Sequence, residues 1–520
     1  MSDTLAVYAE TTPTKPAVID DRPGQPTVTY TFAQLDARAN QVAHLLSGLG
    51  AGPGTKVVWC GQNSAGLLVA VHGIRRSGAV GVPLNYRLTP EEAAYVVDNS
   101  DAEIVWVDAE YRALIDAIRA QTPKVREVLV FDGDGALEAR LDALPVTAAP
   151  VVAPGAGEAD DGEVGATMIY TSGTTGRPKG AVRPGAANPE QVGGLVALIG
   201  YTPDDVYLTT GPLYHSGPGG FAMIAHALGN TIVVQHKFDP EDWLRLVETY
   251  KVTTSFTAPT PIRMICHLPA EVKDRYDRST IRRMIANAAP WTLALKKLYM
   301  ADFPPDSLWE VYGSTELGVD TVLGPEDHLR KPGSCGKPAP AVEVKLFDPN
   351  GVEVTEPHVT GELYVRAASM FSTYYKAEEK YEADRRGDFH TVGDIAYFDE
   401  DGYFYIADRK NDMIISGGMN IYPAEIEAAI DQSDDVYEVA VFGLPDEDWG
   451  ERVHAVVVPA RDGVTAADVE AFAREHLASY KVPRSVSFAD ALPKTGSGKV
   501  LKRELKVALA PPAPDAADPT

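Results

Sequence analysis

The chain has 520 residues, a length that predicts more than one domain. Hydrophobic residues make up 45% and charged residues 23%, which is ordinary globular usage and excludes a wholly disordered or collagen-like chain. Lys and Arg number 47 against 73 Asp and Glu, so the formal net charge is −26. Such an acidic surface repels phosphates, and no basic patch offsets it, so no nucleic-acid partner is expected.

The cysteines and the N-terminal residues lead to an expectation about the cellular location of the protein. Cys60, Cys266 and Cys335 are widely spaced, with no CxxC or metal-ligand spacing, which predicts reduced thiols and a cytoplasmic protein. The first residues, MSDTLAVYAETT, lack the basic and apolar regions of a secretory signal. No run approaches the roughly 20 apolar residues that cross a bilayer, so no integral membrane segment is expected.

The first third of the chain alternates helical and strand patterns. Phe32–Leu46 and Ala65–Arg75 carry apolar residues at helical spacing. Short buried strands are predicted at Lys56–Cys60, Val80–Val82 and Ile104–Val107. This alternation predicts right-handed βαβ units and a parallel sheet. Residues 146–165, rich in Ala, Pro, Gly and acidic residues, are typical of an exposed connection.

A second series of alternating helix and strand patterns runs from Thr167 to about Trp309. Beyond it, the pattern of predicted secondary structure changes. Beyond Gly333, short alternating runs predict half-buried strands of an antiparallel or barrel-like subdomain: Val342–Phe347, Gly361–Arg366 and Tyr403–Ile406. A compact α+β segment follows to about Leu509. The final residues, 510–520, have the low-complexity composition of a disordered tail.

The segment Tyr170–Gly180, YTSGTTGRPKG, joins an apolar strand to hydroxyls, glycines and one lysine. Glycines let backbone N–H groups face an anion, hydroxyls add donors, and Lys179 adds a point charge. This composition is typical of a triphosphate cradle, although the GxxxxGK[ST] pattern of a Walker P-loop does not fit. Composition alone leaves a flexible surface turn equally open.

The whole string TSGTTGRPKG resembles the phosphate-loop signature of the adenylate-forming (AMP-binding) superfamily, which includes acyl-CoA synthetases, adenylation domains and firefly luciferase. Further signatures follow in the family's order between Thr31 and Arg503, so the resemblance covers nearly the whole chain. It is strongest to bacterial acyl-CoA synthetases. The resemblance implies that the phosphate loop consists of Thr171, Ser172, Gly173, Thr174, Thr175, Gly176 and Lys179.

The segment Glu310–Glu316, EVYGSTE, combines an aromatic ring that can stack on adenine, a hydroxyl that can reach a phosphate and a carboxylate that can hold Mg²⁺. The resemblance assigns these roles to Tyr312, Thr315 and Glu316. It also implies nucleotide contacts from the neighbouring Gly313 and Ser314 and from the adenine-carrying segment Asn287, Ala288 and Ala289.

His215, in LYHSG, resembles the family histidine beside the acyl carboxylate, where it would position that group or gate the pocket. A packing histidine stays open as an alternative. The following predicted helix, Gly217–Leu228, begins with small residues (Gly217, Gly219, Gly220 and Ala222). Small side chains predict room for a sizeable or flat acyl group.

Thr391–Asp394, TVGD, resembles the family segment whose aspartate accepts the ribose hydroxyls, which implies that role for Asp394. Val392 departs from the usual string. Arg409 resembles the residue that contacts ribose or phosphate. Two residues on, the family hinge is usually Asp or Lys, whereas this chain has Asn411, a residue that tolerates unusual backbone angles.

The segment Leu492–Lys499, LPKTGSGK, closely resembles the family's terminal motif and implies that Lys499 is the lysine that enters the active site. A carboxylate and a triphosphate repel each other, and a mobile ammonium that bridges them stabilises the charge of the transition state. Lys494 precedes the loop and lacks the match.

The resemblance places a second substrate, CoA, on the small domain. Gly417 and Gly418 resemble the segment that lines the pantetheine tunnel, and Trp449 stands where some CoA ligases stack adenine. Tyr480, Lys481 and Arg484 stand where such enzymes hold the CoA phosphates. Ordinary exposed aromatic and basic residues remain an alternative for this group.

The expected fold is α/β: a large N-terminal domain, residues 1–410, with two mixed or parallel sheets and a distorted β-barrel, and a mobile α+β domain, residues 411–509. The expected enzyme is an ATP- and Mg²⁺-dependent acid–CoA ligase acting on a medium to long, or aromatic, acid. Delivery to a free-standing carrier protein or another nucleophile, or activation of an anion such as nitrite, stays open, as does the oligomeric state. Intact Lys499 and Glu316 argue against a nucleotide sensor without enzymatic activity. A hydrolase is not favoured, because the sequence contains neither a GxSxG nor an HExxH motif.

Overall fold

The structure, a computed structural model, describes residues 3–149, 164–171, 177–185, 188–289, 291–410, 412–417, 419–446, 448–495 and 499–509. The predicted tail, residues 510–520, lies outside these ranges, as does most of the predicted connection 146–165. The strands are β1 (Pro16–Asp20), β2 (Val28–Thr31), β3 (Lys56–Cys60), β4 (Val80–Pro83), β5 (Ile104–Asp108), β6 (Glu127–Phe131), β7 (Thr167–Thr171), β8 (Lys179–Arg183), β9 (Val206–Thr209), β10 (Thr231–Val234), β11 (Thr254–Thr257), β12 (Arg283–Ala286), β13 (Leu308–Ser314), β14 (Gly318–Leu323), β15 (Lys337–Pro338), β16 (Val342–Phe347), β17 (Gly361–Ala367), β18 (Thr373–Tyr375), β19 (Arg385–Arg386), β20 (Phe389–His390), β21 (Asp394–Phe398), β22 (Phe404–Arg409), β23 (Ile414–Ser416), β24 (Met419–Ile421), β25 (Val436–Asp446), β26 (Gly450–Pro459) and β27 (Ser485–Phe488).

The helices are α1 (Thr4–Thr11), α2 (Phe32–Gly48), α3 (Ala65–Arg76), α4 (Pro90–Asn99), α5 (Arg112–Ile118), α6 (Ala136–Asp142), α7 (Pro189–Ile199), α8 (Ser216–Ala227), α9 (Pro240–Tyr250), α10 (Pro259–Cys266), α11 (Ala270–Lys273), α12 (Leu293–Asp302), α13 (Glu378–Ala383), α14 (Pro423–Ile430), α15 (Ala466–His476) and α16 (Lys502–Leu509). None of the helices in the described part of the chain is long and apolar enough to cross a membrane. The three cysteines are buried free thiols.

Local sequence signals account for the first elements. The predicted helices correspond to α2 and α3, and the predicted strands to β3, β4 and β5. Helix α2 begins with a capping box, in which the Thr31 hydroxyl accepts from the Gln34 amide at 3.3 Å and the Gln34 side chain accepts from the Thr31 amide at 2.9 Å. These bonds satisfy amide groups that the first turn of a helix leaves without partners.

Two mixed sheets form the larger part of the molecule. The first has nine strands in the order β15-β14-β13-β12-β11-β9-β10-β1-β2, and the run from β13 to β1 is parallel. The second has seven strands in the order β18-β8-β7-β4-β3-β5-β6, with β7 to β6 parallel. The prediction of two mixed or parallel α/β sheets is confirmed.

Helices α2, α3 and α8 pack between these sheets. Their apolar faces share one buried cluster with residues of both sheets, including Trp59 and Trp106 of the seven-stranded sheet and Tyr207 and Phe256 of the nine-stranded sheet. Helices α4 and α5 cover the outer face of the smaller sheet, and α9, α10 and α12 cover that of the larger one. The two sheets are therefore held at a fixed relation by a common core.

A third sheet, of six antiparallel strands, contains the short strands predicted beyond Gly333. Strand β17 pairs with β16, β20 and β21, and the sheet ends at β19 and β22. No pairing among the described residues joins those ends, so the distorted barrel is not confirmed and the unit is an open antiparallel sheet. Its strands β21 and β22 carry Asp394 and Arg409 side by side.

The fourth sheet belongs to the C-terminal part of the chain. Strands β24-β23-β26-β25 are antiparallel, and β27 adds to β26 in parallel. Helices α14 and α15 pack on it over a separate buried core. We call the described residues from 412 to 509 the C-terminal lobe. The α/β class with a small C-terminal α+β unit is confirmed.

Candidate active site

The cleft lies where strands of the two large sheets end. Strands β9, β11, β12 and β13 are parallel neighbours, so their carboxyl ends lie along one edge of the larger sheet. Strand β7 of the other sheet ends at Thr171 beside that edge, because the Thr171 hydroxyl bonds to Glu316, just beyond β13. Ligands of open α/β sheets bind at such carboxyl ends.

Most predicted site residues line this one cleft. They are Thr171, Lys179, His215, Asn287, Ala288, Ala289, Tyr312, Gly313, Ser314, Thr315, Glu316, Asp394, Arg409, Tyr480, Lys481 and Lys499. Ser172, Gly173, Thr174, Thr175, Gly176, Asn411 and Gly418 lie outside the described residues. The cleft therefore joins residues of three sheets with the C-terminal lobe.

Glu316 is a buried carboxylate held from two sides. Its Oε1 accepts the Thr171 hydroxyl at 2.8 Å and the Tyr374 hydroxyl at 3.0 Å. Both donors use the same oxygen, which leaves Oε2 for another partner. Tyr374 lies on β18 and has no motif of its own. A buried tyrosine hydroxyl needs a hydrogen-bond partner, but no sequence pattern indicated that Tyr374 would reach Glu316.

Thr315 is fixed on both its side chain and its backbone. Its hydroxyl shares a 2.8 Å hydrogen bond with the Ser216 hydroxyl at the start of α8. Its carbonyl accepts from the Arg183 guanidinium, which also donates to the Ser369 carbonyl at 2.8 Å. Ser216 and Arg183 were not predicted, because each is brought to this strand end only by the packing of distant elements.

Gly313 is required by the turn that forms this strand end. A Cβ at this position would lie 1.9 Å from the Gly318 carbonyl oxygen, across the β13–β14 hairpin. No side chain fits that distance. The glycine of the YGSTE string therefore lets the two strands approach, and this approach aims Thr315 and Glu316 into the cleft.

Asp394, Tyr312 and Arg409 form a second polar group that lines the cleft. The Tyr312 hydroxyl donates to Asp394 Oδ2, and Arg409 Nε lies 3.4 Å from Asp394 Oδ1. Asp394 is buried, whereas Arg409 is partly exposed. Val392 does not displace Asp394, which begins β21 in register with Arg409.

The segment after β12 turns sharply. Ala288 has φ of 74°, in the left-handed region that residues other than glycine seldom adopt. The Asn287 side chain anchors the turn by donating to the Val311 carbonyl of β13. Backbone strain of this kind is found at ligand sites, where the surroundings hold it in place.

His215 precedes α8 and lies against the ring of Tyr214, with centroids 4.4 Å apart. Burial, together with the positive charges of Lys499 and Arg87, lowers the pKa of His215 to about 4. Its Nε2 is buried and has no hydrogen-bond partner in the part of the chain that the structure describes. At neutral pH His215 is therefore an uncharged imidazole that can form one further hydrogen bond.

The glycines of α8 do not all leave room for an acyl group. This corrects the expectation that the small residues at the start of this helix line an open pocket. A Cβ on Gly217 would lie 2.4 Å from Cζ of Phe256, and one on Gly219 would lie 2.5 Å from the Leu213 carbonyl oxygen. These two glycines permit close packing. Gly220 differs from them, because a Cβ there would have no atom within 4 Å and would face open space.

Lys499 reaches the cleft from the C-terminal lobe. Its amide donates to the Thr495 hydroxyl at 3.1 Å, and its carbonyl accepts from the Thr495 amide at 2.7 Å. Lys499 is exposed to solvent, and its side chain lines the cleft. Desolvation inside the cleft and the charge of Arg409 lower the pKa of Lys499 to about 8, against the opposing charges of Asp394 and Glu316.

The predicted CoA residues divide into two groups. Tyr480 and Lys481 line the cleft, where the Lys481 ammonium pairs with Glu425 at 2.5 Å. Trp449 and Arg484 lie apart from it on the surface of the lobe, with the guanidinium 4.1 Å from the centre of the indole ring. Gly417, with φ of 58°, packs beneath Trp449, since a Cβ would lie 2.7 Å from the ring.

Asp320, on β14, is a buried carboxyl that does not line the cleft and that no sequence motif indicated. It is fully buried, and neither carboxyl oxygen has a hydrogen-bond partner among the described residues. Burial and the negative charge of Asp394 raise its pKa well above the ordinary value, with Arg183 opposing. A carboxyl in such a setting keeps its proton to a higher pH than an exposed carboxyl does.

Asp320→Asn should therefore stabilise the protein, and the gain should increase with pH. The unfolded chain releases this proton above about pH 4, whereas the folded chain retains it, so wild-type stability falls as pH rises. We expect a higher thermal midpoint at pH 8 and a smaller difference from wild type at pH 5. The exposed Asp462→Asn controls for net charge. A gain that is independent of pH would contradict the protonated state.

Comparisons with known proteins identify the family of the chain. The sequence profile of the AMP-binding enzyme family matches residues 5–375, and that of the AMP-binding enzyme C-terminal domain matches residues 425–499. The long-chain-fatty-acid–CoA ligase FadD13 of Mycobacterium tuberculosis (strain ATCC 25618 / H37Rv) is 34% identical over 481 residues, covering 92% of this chain and 93% of its own. The fatty acid–[acyl-carrier-protein] ligase ScoC of Streptomyces coeruleorubidus is 32% identical over 521 residues, covering 97% and 95%.

Among solved structures, the anthranilate CoA ligase AuaEII in complex with anthranoyl-AMP has a TM-score of 0.87 at 25% identity, covering 98% of this chain and 96% of that one. Fold and cleft together define an adenylate-forming enzyme. The chain belongs to the AMP-binding enzyme family. It is a ligase of the AMP-forming acyl-CoA synthetase type, and the substrates of that family are an acid, ATP and CoA.

Proposed function

We propose that this enzyme is an acid–CoA ligase that works in two steps. A carboxylate oxygen attacks the α-phosphorus of ATP to give acyl-AMP and pyrophosphate, and the CoA thiol then attacks the acyl carbon and releases AMP. The observation that carries the proposal is the meeting of Lys499, a lysine of the C-terminal lobe, with Glu316, Asp394 and His215 in one cleft. A lysine cation that enters this cleft suits a reaction between two anions, because it offsets the repulsion between the carboxylate and the triphosphate.

The nucleotide roles follow from the chemistry of each wall. We assign the ribose hydroxyls to Asp394 and Arg409, and the adenine to the Tyr312 ring and the backbone of Asn287, Ala288 and Ala289. We assign the phosphates of ATP to Thr315, Lys179 and the loop from Thr171 to Gly176. The Thr171 hydroxyl already bonds to Glu316, which supports a phosphate-binding position for Thr171 beside the carboxylate assigned to Mg²⁺.

Mg²⁺ would be held by Glu316 together with phosphate oxygens of ATP. The described residues contain no group of three or more His, Cys, Asp or Glu side chains that could hold a metal ion. One carboxylate with a free oxygen fits Mg²⁺, which is commonly bound by one or two carboxylates and by substrate phosphates. When bound, the ion would neutralise phosphate charge.

The acid would lie beside His215, with its chain between α7, α8 and α10. The side chains that line the cleft there are largely apolar: Val192, Val196, Phe221, Ile224, Phe256 and Met264. The neutral imidazole of His215 can donate a hydrogen bond to the carboxylate, and it adds no charge. An uncharged acyl group, either medium to long or aromatic, matches such a lining.

Domain rotation would connect the two steps. We propose that residues 1–410 and 411–509 move as two domains about Asn411. Lys499 faces the cleft while Trp449, Arg484 and Gly417 lie apart from it, and this division supports separate roles for two faces of the lobe. In the second step Gly417 and Gly418 would face the reaction centre, while Trp449, Tyr480, Lys481 and Arg484 would hold CoA.

Transfer to a carrier-protein thiol is the second candidate, because the similar protein ScoC is named as an acyl-carrier-protein ligase. Pyrophosphate release should be measured across a panel of fatty and aromatic acids, with and without CoA, and with a pantetheinylated carrier protein. Thioester formation with CoA supports the ligase. Pyrophosphate release without any CoA thioester would refute it and transfer the assignment to the carrier or to another nucleophile.

Trp449→Ala should raise the Michaelis constant for CoA about two- to tenfold, because an aromatic stack contributes about 0.5–1.5 kcal/mol. Pyrophosphate exchange should stay unchanged. Phe488→Ala is the matched control, since Phe488 is as exposed as Trp449 (41% against 39%) but pairs with Val457, far along β26 from Gly450. Equal effects of both variants would remove Trp449 from the CoA site.

A further inference from the structure

Helix α10 and the C-terminal lobe are joined by a buried ion pair. Arg263 of α10 donates from Nη2 to Asp431 Oδ1 at 3.0 Å and to Oδ2 at 3.4 Å. Its Nη1 donates to the Tyr437 carbonyl at 2.8 Å. The Thr292 hydroxyl, before α12, also donates to Asp431 Oδ2. Two elements beside the larger sheet thus bind one carboxylate of the lobe.

The pair is shielded from solvent. The Arg263 side chain is 12% exposed and that of Asp431 is 4% exposed. An exposed ion pair contributes little, but removing one partner of a buried pair leaves a desolvated charge without compensation. This contact therefore favours the present arrangement of the lobe over one in which the groups are separated.

Tyr437 extends the same contact. The Arg263 guanidinium lies 5.9 Å from the centre of its ring, and the His267 ring meets it edge-on with centroids 5.3 Å apart. Tyr437 in turn packs against the apolar cluster that contains Leu492, and Val500 packs against the same cluster. These residues flank the loop of Lys499, so the contact with α10 is connected to the position of that lysine.

We propose that Arg263 and Asp431 are positioning residues, which hold Lys499 in the cleft for adenylation and separate when the lobe turns for the second step. The inference rests on the proposed two-step function. It identifies a specific pair of side chains that biases the equilibrium between the two orientations of the C-terminal lobe. When a reactive pose is only partly populated, the apparent rate falls with that fraction.

Asp431→Asn tests the pair, because it keeps the shape of the side chain and removes its charge. We expect the rate of pyrophosphate exchange to fall about tenfold, in proportion to the lost population of the adenylation pose. Conversion of chemically prepared acyl-AMP and CoA to thioester should be unchanged or faster. A residue that only stabilised the fold would lower both rates together.

Asp435→Asn is the matched control. Asp435 lies in the same lobe and pairs with Arg461 at 2.7 Å, in a contact that does not leave the lobe and is more exposed. It should leave both rates unchanged. The double variant Arg263→Gln/Asp431→Asn should be no slower in exchange than Asp431→Asn, because the two groups act through one contact.

A second measurement needs no substrate. Val352 and Val507 are 63% and 74% exposed, beside the third sheet and on α16, and can be replaced with cysteines for a donor and an acceptor dye. Asp431→Asn should change the energy transfer between the dyes, whereas Asp435→Asn should not. Unchanged energy transfer, or equal loss of both half-reactions, overturns the proposal. Wild-type enzyme that activates no acid would instead refute the proposed function.

Discussion

Lys499→Ala is expected to slow adenylation by about 10²–10³-fold, the scale of losing one preorganised electrostatic group. The ammonium lies among Glu316, Asp394 and Arg409 at the place where the carboxylate and the triphosphate would meet. In the proposed adenylation step it acts on charge that develops in the transition state, so the Michaelis constants for ATP and the acid should change little. Pyrophosphate exchange measures this step without the thioester step.

The pH profile of the same reaction offers an independent readout. Because the pKa of Lys499 is lowered to about 8, the free enzyme loses this positive charge as pH rises through that value. We expect kcat/KM for exchange to fall above about pH 8, since this parameter reports the free enzyme. The Lys499→Ala variant should lack this descending limb.

Lys494→Ala is the matched control, because its ammonium is paired with Glu438 at 2.9 Å. It should retain exchange within about threefold of wild type, as expected for a residue outside the reacting groups. If Lys499→Ala also stays within about threefold, the assignment of Lys499 is wrong.

Glu316→Gln is expected to raise the Mg²⁺ concentration for half-maximal exchange about tenfold or more, since even residues that orient a metal ligand change affinity about 10–100-fold. Glutamine keeps the shape of the side chain and an oxygen that can accept from Thr171 and Tyr374. The variant therefore isolates the negative charge.

The matched control for the metal experiment is Glu362→Gln. Glu362 pairs with Lys410 at 3.1 Å on the third sheet and does not line the cleft. Its Mg²⁺ curve should overlay that of wild type. A Mg²⁺ curve of Glu316→Gln that also overlays wild type would remove Glu316 from the metal site.

Much of the fold could be predicted because its causes are local. Helix α2 and strand β3 followed from the spacing of apolar residues that lie within a few positions of one another. The alternation of apolar and polar residues did not predict whether the third sheet closes into a barrel. Such alternation shows that a strand is half-buried, but it does not show which neighbouring strand it pairs with.

The candidate site was partly predictable for a similar reason. Thr315 and Glu316 stand in one short string, and the resemblance of that string identified them. Tyr374 and Ser216 carry no such signal. They reach their partners across 58 and 99 residues of sequence, through side-chain hydrogen bonds that exist only once the sheets have packed.

The sequence by itself determined the α/β class, the order of the motifs and the family, because periodicity and short strings are properties of neighbouring residues. Only the tertiary structure decided that Gly217 packs on Phe256, that Trp449 stands apart from Lys499, and that Arg263 meets Asp431. Each of these depends on how separately formed elements are packed. Burial and the distance between charges arise from that packing, and they set the chemistry of the cleft.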